Sequence, residues 1–83
     1  PNPFNMNTKI PVYLGQESDV ELVIYDLLGN RIINLVHHRL KTGDHFINWD
    51  GKDHFGNYVP SGIYPYTLKL GRITKSDRMI LLK

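Results

Sequence analysis

Cysteine is absent from this 83-residue chain, so neither a disulfide nor a thiolate metal site can stabilise it. A domain of this size then depends on one modest hydrophobic core and has little room for a deep active-site cleft. No run approaches the about 18 apolar residues of a membrane span, and no basic-then-apolar leader opens the chain. We therefore expect one domain, residues 1–83, without membrane insertion. Because the chain starts at Pro1, we also expect it to be a module of a longer protein.

The residue patterns of catalytic sites are also lacking. The chain has no Gly-x-Ser-x-Gly elbow, no phosphate-binding glycine loop and no cysteine nucleophile, and its acidic residues do not form a pair. The four histidines lack metal-site spacing, and two adjacent ones point to opposite faces of an extended chain; they are His37, His38, His45 and His54. The sequence predicts no enzyme, no cofactor and no metal centre.

Short runs rich in Val, Ile and Tyr are present instead, separated by Gly, Asn, Asp and Pro. With 41% apolar and 22% charged residues, the composition is that of a globular protein. Helical periodicity is nearly absent, so the pattern predicts an all-β, antiparallel β-sandwich of about seven strands. Pro11 restricts the first strand to an edge or to a position where a strand switches sheets. We expect strands at 8–14, 19–26, 31–36, 45–50, 62–70 and 73–83, a hairpin turn at 27–30, a polar connection at 37–44 and a turn at Gly71 and Arg72.

Alternation along these strands predicts the core. Apolar residues at every second position share one face of a strand, and a small core without disulfides needs all of them. Trp49 is the expected anchor. The predicted core consists of Val20, Leu22, Ile24, Ile32, Leu35, Ile47, Trp49, Tyr64, Tyr66 and Leu68.

The glycine-rich loop from Asp50 to Asn57 has two interpretations. Asp50, Asp53 and Asn57 offer oxygen ligands for calcium, but they lack the alternating spacing of an EF-hand loop. Asp and Asn beside Gly more often bond their own backbone in turns, which is the interpretation that we favour. A sugar- or base-stacking platform is a further possibility, and core packing is favoured over it; the aromatic residues concerned are Trp49, Phe55, Tyr58, Tyr64 and Tyr66.

The end of the chain is basic, with five cationic residues in its last fifteen positions: Lys69, Arg72, Lys75, Arg78 and Lys83. A nucleic-acid surface would need these charges on one face. We expect instead that Lys69 and Lys75 are the solvent face of strands whose apolar neighbours are buried, namely Leu68, Leu70, Ile80 and Leu82. No nucleic-acid partner is predicted.

Four segments in one order then show a family resemblance across essentially all 83 residues: "PNPFN", "VIYDLLGN", "GDHFINWDGKDHFGNYVPSGIYPYTL" and "RMILLK". Together they resemble the type A C-terminal sorting domain of type IX secretion cargo. They are equally similar to a relative of that domain, the immunoglobulin-like domain of the flagellar hook-capping protein. The resemblance implies an immunoglobulin-like sandwich in which residues 1–4 mark the junction with a preceding domain, Asp26 and Gly29 form the hairpin turn, and residues 49–51 form a corner.

The function implied by this resemblance is that of an export address, meaning a sorting signal that directs the parent protein across the outer membrane. Such a domain is recognised in the periplasm by the outer-membrane translocon, so its parent is secreted or held at the cell surface. The residues implied to be recognised lie in the last strand: Lys75, Arg78, Met79, Ile80, Leu81 and Lys83. The alternative is a structural immunoglobulin-like spacer or adhesion module of a multidomain surface protein; the final "LLK" favours the address.

Two positions depart from the family pattern. Pro65 stands where a strand residue is usual and is expected to weaken that strand's ladder, and Asn30 replaces a basic residue after Gly29. Neither position supports a binding role.

Overall fold

A computed structural model describes residues 7–82 of the chain, and these form six strands. The predicted domain junction at residues 1–4 and the predicted recognition residue Lys83 lie outside the described part. Within residues 7–82, no helix is long and apolar enough to cross a membrane. The strands are β1 (Thr8–Leu14), β2 (Ser18–Tyr25), β3 (Arg31–Leu40), β4 (Gly43–Trp49), β5 (Gly62–Leu70) and β6 (Ile73–Leu81).

The strands form two antiparallel sheets. One sheet pairs β1 with β4, and the other has the order β3-β2-β5-β6. Pro11 lies in β1, an edge strand of the two-stranded sheet, where its missing N–H costs no central ladder bond. The predicted all-β antiparallel sandwich is confirmed, with six strands in the described residues.

The core lies between the sheets, and Trp49 is its largest fully buried side chain. The Trp49 indole N–H donates to the Lys52 carbonyl at 2.9 Å, and the Tyr64 ring meets the indole edge-on at a centroid distance of 5.2 Å. Six predicted core residues are buried, and four are half-buried against them. Six further members of the core were not predicted: Ile10, Val12, Leu14, Val36, Val59 and Leu81.

The prediction of a polar connection at 37–44 was wrong for most of that segment. His37 pairs with Glu21 and His38 with Val20, so β3 continues to Leu40 and only two residues separate it from β4. The reason is that β3 is an edge strand, whose exposed side tolerates polar side chains at most positions. Leu40, at the end of this extension, packs against the core.

The five-residue segment Asp-x-x-Gly-Asn occurs twice, at 26–30 and at 53–57, and closes the chain in the same way each time. The aspartate Oδ1 accepts the N–H groups of the third and fifth residues, at 2.9 and 2.8 Å in the first segment and 2.9 and 3.0 Å in the second. The glycines have φ values of 85° and 86°, a conformation that glycine adopts without strain. The first segment is the predicted β2–β3 turn, and the second forms part of the corner after Trp49.

Candidate functional site

The strand that carries the predicted recognition residues, β6, is an edge of the four-stranded sheet, and within the described residues 7–82 it pairs only with β5. A two-residue turn, Gly71–Arg72, joins β5 to β6 as expected. Gly71 has a φ of 59° at the first central position, the pattern of a type II′ hairpin turn. Because nine residue pairs follow without a register shift, β6 is a long and regular edge.

The structure divides the predicted recognition residues into exposed and buried ones. Lys75, Arg78 and Ile80 are exposed, and 62% of Ile80 is accessible. Met79 is half-buried against the core, and Leu81 is fully buried within it. A partner that meets the folded domain can therefore contact the first three residues directly, whereas Leu81 acts in the core.

The expectation that Ile80 and Leu82 are buried was wrong. Residues directly opposite each other in a sheet share a face, and the register pairs Met79 with Tyr64 and Leu81 with Gly62 on the core side. Ile80 and Leu82 are both exposed. In the "MILL" run all four residues are apolar, so alternation could not determine its phase from sequence.

Ile80 belongs to a small apolar patch on the outer face of the four-stranded sheet. It lies directly opposite Ile63, which is also exposed, and Pro65 lies opposite Arg78. Leu27, at the tip of the β2–β3 hairpin, lines the same shallow depression as Ile63, Pro65 and Arg78. Exposed apolar residues grouped around a cation are typical of a protein contact surface.

Pro65, which was expected to weaken the ladder of its strand, does not interrupt β5, although the pairing of β5 with β2 does not reach it. Pairing of β5 with β2 runs from Leu70 to Tyr66, the residue that follows the proline, whereas pairing with β6 continues through Pro65 to Gly62. The N–H of Arg78, opposite Pro65, donates to Asp77 Oδ1 at 2.8 Å. This bond occupies a backbone donor of β6 with a side chain of the same strand.

The loop after Trp49 uses its carboxylates in turns, as the favoured interpretation predicts. Asp50 Oδ1 accepts the Lys52 N–H at 3.1 Å, and Asp53 Oδ1 accepts two backbone N–H groups of its own segment. Among residues 7–82, no group of three or more His, Asp or Glu side chains is placed to hold a metal ion.

The aromatic residues of this region do not form one stacking platform. Trp49 and Tyr64 are in the core, while Phe55 and Tyr58 are exposed on the loop. The Tyr64 hydroxyl donates to the Pro60 carbonyl at 2.6 Å, the arrangement of a tyrosine corner. Burial raises the pKa of this hydroxyl, and the Asp26 carboxylate adds to the effect.

One turn carboxylate has a perturbed pKa. The Asn30 side-chain amide donates to Asp26 Oδ2 at 3.0 Å and the Asn30 backbone N–H to Oδ1, and these bonds lower the pKa of Asp26. They favour the ionised form because a carboxylate is the stronger acceptor. Asn30 therefore stabilises the hairpin through Asp26, a role that the sequence departure at this position did not reveal.

Comparison with known protein families identifies one match over most of the chain. Residues 5–72 match the family model described as the FlgD Ig-like domain. The match ends within the β5–β6 turn, so it covers the core strands β1 to β5 but not β6. A comparison with curated proteins found no match.

Proposed function

This chain belongs to the FlgD Ig-like domain family, and we propose that it is the export address of a longer secreted protein, recognised through β6 by the type IX outer-membrane machinery. Membership of this family is consistent with an immunoglobulin-like structural module, a kind of domain that is typically non-catalytic. The proposed sorting role is supported by the resemblance of the ordered segments to type IX cargo domains and by the position of β6 at the edge of a sheet.

The observation that carries the proposal is the exposure of β6 along an unpaired edge. Lys75, Arg78 and Ile80 are accessible on a strand with one neighbour. A partner can add a strand to such an edge, and the side chains at alternate positions then provide specificity. The patch around Ile80 adds an apolar contact beside the Arg78 charge. Localisation at the cell surface or in the medium, after passage through the periplasm, is part of the same proposal.

A reporter fusion tests this function. Residues 1–83 are placed behind a reporter that is delivered to the periplasm of a bacterium with type IX machinery, and the exported fraction is measured. Arg78→Glu and Lys83→Glu should reduce export while circular dichroism shows an intact fold. Lys9→Glu is the matched control, because Lys9 is an exposed lysine on β1, in the other sheet. Equal export of all three folded variants would contradict recognition through β6.

The alternative function is a spacer or adhesion module of a multidomain surface protein. The family match favours it specifically, since the matched residues 5–72 are those of an immunoglobulin-like domain and exclude β6. On this alternative, the patch around Ile80 contacts the preceding domain rather than a translocon. An intact fusion that remains periplasmic would favour the spacer over the address.

A further inference from the structure

The free edge of β6 carries charges that are complementary to a second copy of itself. We propose that two copies of this chain pair through β6, antiparallel, with Ser76 of one copy opposite Ser76 of the other. The pairing joins the two four-stranded sheets into one sheet of eight strands. It does not depend on the proposed export function.

Among the edge strands of the molecule, β6 is the one best suited to such pairing. β1 carries Pro11, which has no N–H to donate, and β4 has seven residues against nine in β6. The register of β3 against β2 shifts twice, and the Ile32 carbonyl of β3 already accepts the His54 N–H. β6 contains no proline, its register against β5 has no shift, and among residues 7–82 its other edge has no strand partner.

The register at the β5–β6 turn indicates which backbone groups of β6 face outward. Leu70 and Ile73 flank the two-residue turn and exchange backbone hydrogen bonds, and the directions alternate from Ile73 to Arg78, whose N–H is bonded to Asp77. Arg78 therefore directs its backbone groups away from β5. In an antiparallel strand these directions alternate, so Thr74 and Ser76 also present their N–H and C=O groups to the free edge.

Charge then selects one register for the pair. If the two β6 strands overlapped over their full length, Asp77 of one copy would lie opposite Asp77 of the other. A register centred on Lys75 or on Arg78 would likewise place like charges opposite each other. Centring on Ser76 places Lys75 of each copy opposite Asp77 of the other. It also covers the exposed Ile73 with Met79 of the second copy.

In this register the outward backbone groups match as well. Thr74 of one copy lies opposite Arg78 of the other, and both belong to the set that faces the free edge. The Arg78 N–H then donates to the Thr74 carbonyl of the second copy, while the Asp77 carboxylate turns to Lys75 of that copy. In the single copy, the bond from the Arg78 N–H to Asp77 at 2.8 Å satisfies this donor at the free edge. On pairing, it is replaced by the bond to the Thr74 carbonyl of the second copy.

The test is sedimentation velocity of the 83-residue chain over a concentration series from micromolar to millimolar. The contact is small, so we expect a weak dimer that forms as the concentration rises. Lys75→Asp and Asp77→Lys each place like charges opposite each other twice, so each single variant should dimerise at least about tenfold more weakly. Lys9→Asp, on β1, changes the net charge as Lys75→Asp does and should dimerise like the unaltered chain.

A double variant, a mixture of the two single variants and a proline variant make the test specific for the register. The double variant Lys75→Asp/Asp77→Lys restores opposite charges at both positions and should dimerise again. A mixture of the two single variants should form a heterodimer, since one copy then carries two acids and the other two lysines. Ser76→Pro, with an intact fold by circular dichroism, should abolish the dimer by removing the central N–H.

Three outcomes would overturn the proposal. The first is a chain that stays monomeric at all concentrations. The second is a dimer that the single charge variants do not weaken, and the third is a double variant that remains as weak as the single ones. Because every measurement uses the purified domain, failure here leaves the export function untouched, and failure of export leaves this pairing untouched.

Discussion

Replacing Trp49 by alanine removes the largest fully buried side chain of the core. Deletion of a buried aromatic side chain costs about 3–5 kcal/mol of unfolding free energy, because contacts are lost and a cavity remains. The lost hydrogen bond to the Lys52 carbonyl and the lost edge-on contact with Tyr64 place the change toward the upper end of that range. Since folded domains have a total stability of about 5–15 kcal/mol, the variant should lose a large fraction of the unfolding free energy of this domain.

Urea unfolding followed by far-UV circular dichroism measures this loss. Trp49→Phe is the matched control: it keeps an aromatic ring and loses the indole N–H, so it should retain more of the stability than Trp49→Ala does. The native chain should also show blue-shifted tryptophan emission, since the indole is 0% exposed. Emission typical of water-exposed tryptophan, or a loss below about 1 kcal/mol in Trp49→Ala, would refute the account of the core.

The remaining predictions concern the loop, two pKa values and the phase of β6. Calorimetry should detect no calcium binding below a millimolar dissociation constant, and a tighter site that Asp53→Ala abolishes would contradict the turn interpretation. Because the pKa of Tyr64 is raised, stability should hold up to about pH 10 and fall as pH rises through the folded-state pKa, less steeply in Tyr64→Phe. The lowered pKa of Asp26 gives stability that is present above about pH 4 and lost as pH falls through the folded-state pKa, and Asp26→Asn should remove this acid dependence. Leu81→Ala should cost about 2–5 kcal/mol by urea unfolding and Ile80→Ala less than about 0.5 kcal/mol, and similar values for the two would contradict the observed phase of the strand.

Strands with strict alternation and clear boundaries were predictable from sequence. β1 and β5 have the predicted bounds, because Gly15, Gly62 and Gly71 delimit runs in which apolar and polar residues alternate. The extension of β3 was not predictable in this way. His37 to Arg39 are polar, and only their pairing with β2 shows that they continue an edge strand.

The candidate site was predictable as a strand but not in its details. The "MILL" run at 79–82 has no polar residue to mark its outer face, so the burial of Leu81 depends on the register against Gly62. The bond between the Arg78 N–H and Asp77 was equally invisible, since it depends on which backbone groups of β6 face the free edge. Both features follow from the register of β6 against β5, which a pattern along one strand does not record.

The most direct test of the export function compares one fusion in two strains. The reporter that carries residues 1–83 is expressed in a bacterium with type IX machinery and in the same bacterium without its outer-membrane translocon. The function proposed here predicts reporter at the cell surface or in the medium of the first strain and retention in the periplasm of the second. Retention in the periplasm of both strains, or equal export from both, would contradict it.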